Sequence, residues 1–471
     1  MSRIKLLGAV LLYLVYMGTA RAEIFHMPAE FSDIQSAIDA AATGDTIIVA
    51  PGEYLGTINF SGKDLVLTSE DPNDPNIVAT TVLYVKRVRG IRDQSVVSFL
   101  KGETRAAVLS GFTIKGGVGT YYSDFEGSLG GGVLCFEASP TIIHNVITEN
   151  SMSLNPDIDS YGGGVFCIFS DALVAFNTIR ENQASGGGGL LTAYGDPMVY
   201  GNIIAENRAF LAGGAFVLAG TYLNNTFVGN RATGIAGAMF AAYEELPGVQ
   251  ITSGLHVHNN IFAHSPTGWG ILAEGLSYES GWFTHNNVFG NLPDNYVDEL
   301  ESGFTLSETV VEEMALLSTD PCFVDANAYD YTLLEGSPCI DAGRPDFVSP
   351  LGIMDMIGGQ RPYGAHVDIG ALEAQSCISP RANAGPDQTV SVGERVTLDG
   401  SASQFCDPDA VHMFVWAPAP GTIAQLDNRL AMQPTFTPQA EGEYGFRLVV
   451  REGMSLSEVD EVIITVVAAP Q

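Results

Sequence analysis

A glycine cluster, an apolar run and a pair of asparagines five residues apart recur along this chain, and that recurrence restricts the fold more than any other feature. GGGVLCFEASPTIIHNVITEN starts at Gly130, GGGVFCIFSDALVAFNTIREN at Gly162 and GGGLLTAYGDPMVYGNIIAEN at Gly187. The asparagine pairs are Asn145/Asn150, Asn177/Asn182, Asn202/Asn207 and Asn225/Asn230, followed by weaker copies at Asn260/Ser265 and Asn287/Leu292. Gly111/Gly116 opens the same frame, and the successive steps are 34, 32, 25, 23, 35 and 27 residues. Repeats of this period imply a solenoid or an array.

The repeated segments are short, rich in Val, Ile, Phe and Thr, and bounded by Gly or Asn, which is strand chemistry. Helical solenoids are therefore excluded. A propeller demands longer and more uniform blades. A parallel β-helix tolerates uneven steps, because extra residues leave the turn while the strands stay stacked. The expected fold class is all-β: a single-stranded right-handed parallel β-helix followed by an immunoglobulin-like β-sandwich. At the mean repeat length, residues 23–375 give roughly a dozen coils. Corners need residues that tolerate left-handed backbone angles, hence Gly and Asn, and asparagines at one corner can bond from coil to coil. Asn145, Asn177, Asn202 and Asn225 are thus expected as a structural ladder. The glycines are not a phosphate loop, since Gly186–Gly189 leads into Leu190 and Leu191 with no Lys-Ser/Thr.

Residues 1–22 carry Arg3 and Lys5, an apolar run from Leu6 to Met17 and the small-x-small stretch Ala20-Arg21-Ala22. They read as a secretory signal cleaved after Ala22, so the mature chain is expected to be secreted or on the cell surface, with no transmembrane segment. Its removal takes three positive charges from a chain already at −33. Such a surface repels nucleic acid and disfavours polyanionic glycans unless a cation bridges them. Next, Ser32 and Gln35 form a capping box ahead of Ile34, Ala37, Ile38 and Ala41, predicting a short helix that plugs the first coil.

The block IQSAIDAAATGDTIIVAPGEY, with the Gly/Asn repeats, resembles the opening of right-handed parallel β-helix proteins of the pectate-lyase-like superfamily. Further on, Asp320-Pro321-Cys322, Gly336-Ser337-Pro338-Cys339-Ile340-Asp341 and Gly358-Gly359-Gln360-Arg361-Pro362…Asp368-Ile369-Gly370 resemble the closing segment of choice-of-anchor surface proteins. That resemblance implies a C-terminal cap and cell-surface association. From Ser379 the composition changes. Val396-Thr397-Leu398, Phe414-Val415-Trp416 and Tyr444-Gly445-Phe446-Arg447-Leu448 alternate as strands of a sandwich, and the text resembles PKD-type extracellular modules, so residues 379–471 form the expected second domain. It carries Val-Trp-Ala-Pro where such modules usually have Trp-Asp-Phe-Gly.

Six cysteines in an exported chain favour disulfides, and Cys322–Cys339 and Cys377–Cys406 are the candidate pairs. Cys135 and Cys167 fall on adjacent coils, as a bridge or as buried thiols. No Cys-x-x-Cys spacing marks a metal site. Two insertions just before neighbouring glycine clusters place Tyr122, Asp124 and Glu126 beside Asp157, Asp159 and Tyr161. Carboxylates with aromatics suit a sugar groove, as acid/base groups or as calcium ligands; solvated loop tips are the plainer reading. The residue sets of the superfamily's polygalacturonase-like hydrolases and pectinesterases do not stand in this chain. His144, His256, His258, His264 and His285 fall near the asparagine frame. The expected role is surface display, adhesion or contact with an extracellular polysaccharide or cell-surface glycan. A polysaccharide lyase or glycoside hydrolase is the alternative, and a purely structural envelope protein the second.

Overall fold

The computed structural model describes residues 22–86, 93–242, 254–274, 281–297, 312, 314–346, 350–352, 354–374, 380–403, 405, 411–452 and 455–468. Cys377, Cys406 and the signal segment up to Arg21 lie outside them.

The first unit is a parallel β-helix. Each turn of the chain visits three sheets in the same order. Sheet A stacks ten strands from Ile24–Met27 to Phe283–Thr284, sheet B nine from Gly52–Leu55 to Asn287–Phe289, and sheet C nine from Ile58–Asn59 to Tyr296–Val297, with Arg208–Ala209 paired at its side. Pairing is parallel and in register, as in Thr141↔Leu173↔Met198↔Thr221 in sheet A. One inward position per strand builds a column. Ile114, Ile147, Ile179, Ile204, Phe227 and Phe262 do so in sheet B, all fully buried. Cys135 and Cys167 occupy paired inward positions in sheet C as free, buried thiols.

Two asparagine ladders run up the corners flanking sheet B. The amide of Asn145 donates to Asn177 Oδ1 at 3.1 Å, that of Asn177 to Asn202 at 3.1 Å, that of Asn202 to Asn225 at 3.0 Å and that of Asn225 to Asn260 at 3.0 Å. The second ladder joins Asn150, Asn182, Asn207 and Asn230. Near the end the frame differs by one from the sequence reading: Asn260 bonds Asn286, not Asn287, and Asn291 serves Ser265. The left-handed backbone angle belongs to the residue before the ladder asparagine: His144 (φ 57), Phe176 (φ 53), Asn224 (φ 51) and His285 (φ 53). The ladder asparagines are there for their amides, and their neighbours take the corner.

The glycine clusters divide the same way. Gly130, Gly162 and Gly187 adopt positive φ. Gly164 is needed for room, since a Cβ there would meet Gly189 O at 2.5 Å and Ile179 Cγ2 at 2.8 Å.

The N-terminal helix spans Ile34–Ala40 and buries Ile34, Ala37 and Ile38 against the first coil. Its cap is Asp33, not Ser32, because the carboxylate accepts from Ser36 N at 2.9 Å and is the stronger acceptor. Gln35 instead bonds Asn59 on the neighbouring strand.

Among the described residues the closing segment lies along the flank of the β-helix, with Leu333 and Ile369 against Ile261 and Ala263, and not over its end. Sheet A stacks ten strands there, and the bridge Asn287↔Leu317 continues the winding beyond them, against the dozen coils expected. Tyr331, Ala371 and Leu372 pack on Ile203, Ala205 and Val228, while Leu333, Ile340 and Ile369 pack on Ile261 and Ala263. Gly370 N donates to Asn259 O at 2.8 Å and Ala371 N to Thr226 Oγ1 at 2.9 Å. The brace is organised round Arg361, fully buried, which pairs with Glu373 at 2.9 Å and donates to Gly370 O at 3.0 Å. Asp368 and Asp355 are buried beside it and accept backbone N–H groups from Asp341, Ala374, Gly359 and Glu373. Burial and the charge on Glu373 push the Asp368 carboxyl up to about 8.

Cys322 and Cys339 are free thiols here, which corrects the expected disulfide. The buried Cys339 Sγ accepts from Asn287 Nδ2 at 3.0 Å, while Cys322 Sγ is turned to Asp320 O at 3.3 Å.

The second unit is a sandwich. Gln388–Ser391, Asp460–Val467, Gly442–Glu452 and His412–Pro418 form the larger sheet, and Val396–Thr397 pairs with Thr435–Phe436. Trp416 is fully buried among Leu398, Phe446, Leu448 and Ile464, and its indole N–H reaches Ala431 O at 3.1 Å. Tyr444 sits half-buried at the rim of this core, its hydroxyl donating to Ala440 O at 3.0 Å. Trp416→Ala is expected to lower the stability of this unit by about 3–5 kcal/mol, read as an earlier urea transition with the β-helix transition unmoved.

Candidate functional site

The two insertions marked in the sequence meet. Gly119–Tyr122 and Gly127–Leu129 form a hairpin, turned by Ser123–Phe125 with Glu126 left-handed at φ 48. The second strand pairs with Ser160–Tyr161 in the register Leu129↔Tyr161. This side sheet stays in place because the outer face of sheet C is apolar there: Leu129, Tyr122 and Phe125 cover Leu134, Phe166 and Ile168.

The six candidate residues nevertheless divide. Asp124, Glu126 and Asp157 are exposed at the tips, with Asp124 taking a hydrogen bond from Ser123 Oγ at 3.3 Å. Asp159 and Tyr161 form a half-buried pair, the hydroxyl donating to Oδ1 at 3.1 Å. Burial and the Asp159 charge push the Tyr161 phenol up to about 12. Among the described residues no three His, Cys, Asp or Glu side chains converge on a point where a metal ion could sit. Calcium at this corner would need the loop tips to close on it.

Tyr122 begins an aromatic row that continues through Phe136, Phe169 and Tyr194. Its ring centroids are 5.1, 6.3 and 5.4 Å apart, and the first and last pairs are stacked at 7° and 22°. Sugars stack on ring faces, where the π-density lies. Here those faces are largely taken up by neighbouring rings, so the row leaves mainly edges and serves packing along the corner.

A better-formed concavity lies on another side, where sequence reasoning placed nothing. Between the brace and the helix Pro75–Thr80 runs a groove of about 500 Å³ over the outer face of sheet B. Val146, Thr178 and Ile203 form its floor, and Tyr329 and Tyr331 one wall. At the corner stand His144 and Phe176, with ring centroids 5.4 Å apart. Tyr329 is 42% exposed and fixed from two directions: its hydroxyl donates to Glu181 Oε1 at 2.6 Å, and the Arg180 guanidinium lies 4.9 Å from its ring centre. Arg180 also pairs with Glu181 at 2.7 Å. The bond to Glu181 and partial burial raise the Tyr329 phenol, and burial lowers the His144 imidazole, which favours its neutral form. A preset aromatic, two polar anchors and an apolar floor make a binding groove of ordinary ligand size.

Residues 384–466 match a family model that describes a PKD domain. Modules of this kind are common in extracellular and surface proteins. The solution structure of the PKD domain from KIAA 1837 protein is 28% identical over 19% of this chain and 91% of that chain, with a TM-score of 0.17. No curated protein matches the chain. Among the described residues no helix is long and apolar enough to cross a membrane.

Proposed function

We propose that this chain, whose second unit is a PKD module, is exported by its first 22 residues and contacts an extracellular glycan through the flank groove. The half-exposed Tyr329 ring, held by Glu181 and Arg180 over an apolar floor, is the observation that carries this reading. An aromatic ring presents a flat apolar surface to the C–H face of a sugar, while the neighbouring carboxylate and guanidinium bond its hydroxyls. Asp330 at the groove and Glu181 on the Tyr329 hydroxyl, with a net charge of −33 behind them, favour a neutral polysaccharide over a uronate chain. The sandwich acts as a spacer that holds the helix away from its point of attachment.

Titration of the full mature chain with neutral β-linked oligosaccharides tests this. Tyr329→Ala should weaken binding by about tenfold or more while leaving the thermal midpoint within a few degrees, because the ring lies at the surface. Binding that survives this change, or moves only with Tyr122→Ala, would relocate the contact to the side sheet. No binding to any member of the panel would overturn the glycan reading.

A further inference from the structure

A stack of parallel coils ends in three sheet edges, and along each first strand every second residue turns its N–H and C=O away from the neighbouring strand. Unpaired edges template the pairing of other chains, so folded proteins block them. Here the edges of sheets A and C are blocked by side chains. On the first strand of sheet A, His26 faces the open end; its N–H donates to Glu30 Oε1 at 2.8 Å, and Glu30 N donates to His26 O at 3.0 Å. On sheet C, Asn59 N donates to Gln35 Oε1 at 2.8 Å, and Gln35 Nε2 donates to Asn59 O at 3.1 Å.

The first strand of sheet B, Gly52–Leu55, is treated differently. Leu55 stands opposite Tyr84, and Gly56 N donates to Tyr84 O at 3.0 Å. Gly52, Tyr54 and Gly56 therefore face the sheet, while Glu53 and Leu55 face the open end. Among the described residues no group bonds the backbone of either. They border a cleft of about 410 Å³ between Ser32–Gln35 and Glu53–Ile58. The side chains of Glu53 and Leu55 lie on the outer face, with Leu55 56% exposed.

The charges select what can pair there. Glu53 and Asp33 line the cleft, and no Lys, Arg or His does so among the described residues. Lys63, beside the far end of the cap helix, has its ammonium on the carbonyls of Ile38, Asp39 and Ala41. A second copy would set Glu53 against Glu53 on chains that each carry −33, and like charges across a strand pair are destabilising.

We propose that the open edge of Gly52–Leu55 is a docking site for an extended segment of another protein, added to sheet B as one more strand, with a basic side chain beside Glu53 and an apolar one beside Leu55. Backbone hydrogen bonds give such a contact its affinity, and the alternate side chains give it specificity. The acidic charge of the chain speeds the approach of a basic segment. The edge shares no residue with the flank groove, so either can fail without the other.

The test uses the full mature chain and two blocked synthetic peptides of alternating valine and threonine, one with a central lysine and one with glutamate in its place. The lysine peptide should bind with a dissociation constant on the order of 100 μM, and the glutamate peptide at least about tenfold more weakly. Leu55→Pro removes one outward N–H, and an edge strand tolerates proline where its N–H faces solvent. That change should abolish binding and leave the melting midpoint within a few degrees of the parent. Should it fail to fold, Glu53→Lys, at an exposed position, carries the test by reversing the order of the two peptides. No binding of either peptide at about 1 mM, binding that survives Leu55→Pro in the folded variant, or a preference unchanged in Glu53→Lys overturns the proposal. Self-association of the parent chain that Leu55→Pro removes, read by sedimentation velocity, also overturns it, since that result assigns the edge to a second copy.

Discussion

Asn182→Ala should cost the β-helix about 2–6 kcal/mol although it removes only a few atoms, because it strands buried polar partners at about 1–3 kcal/mol each. Its Oδ1 accepts from Asn150 N at 3.1 Å and Asn150 Nδ2 at 2.9 Å, and its amide donates to Ile147 O at 2.8 Å and Asn207 Oδ1 at 3.1 Å. Alanine leaves Asn150 N and Ile147 O buried without that partner. Serine should be milder, since Ser265 holds a corresponding position in the same corner, with its buried hydroxyl unpaired among the described residues. Asn155→Ala, at an exposed turn, is the control and should stay within about 0.5 kcal/mol of the parent. Urea denaturation followed by circular dichroism measures all three. An alanine variant as stable as the control would mean that the ladder contributes alignment without stability.

Arg361→Ala should destabilise the brace by about 3–5 kcal/mol, the usual cost of leaving a buried charge uncompensated. Glu373 loses its ion pair, and Asp368 and Asp355 lose the only buried cation described beside them. The deficit should depend on pH in a defined direction. Burial and Glu373 already hold the Asp368 carboxyl at about 8, above its unfolded value, so the folded state keeps a proton that the unfolded state releases. Stability from this source is present at low pH and is lost as pH rises through about 8. Without Arg361 the carboxyls shift further up, and the variant should regain stability on going from about pH 8 to about pH 5. Thermal melts across that range check it. A deficit that does not change with pH would show that the lost arginine acted through packing alone.

Much of the fold was legible because a β-helix must repeat the same solution at every coil. Asn145, Asn177, Asn202 and Asn225 had to recur at one corner for their amides to meet, and a recurrence can be read without coordinates. What did not have to recur was harder to see. The left-handed corner residue is His144, Phe176, Gly201 or Asn224 in successive coils, since the corner selects a backbone angle and accepts different side chains. With both Asn286 and Asn287 present, periodicity could not choose between them. The side sheet was foreseeable because both insertions precede the same glycine position. The groove was not: Tyr329 and Glu181 are 148 residues apart, and nothing periodic announces that the last segment turns back along the flank. Apolar positions such as Tyr331, Leu372 and Ile369 suit an end cap equally well.

The brace also changes what kind of object the stack is. A solenoid whose coils touch only their neighbours behaves as a one-dimensional chain of coupled units and can open from a free end one coil at a time. Residues 320–374 connect levels that are not neighbours, from Glu181 through Ile203, Thr226 and Asn259 to Asn287. Opening the last coil therefore disturbs a segment that is also seated several levels away. The correlation length of the unfolding reaction is lengthened from one coil to the whole braced stretch, which should exchange in hydrogen–deuterium experiments as a single block, while the coils before it open independently.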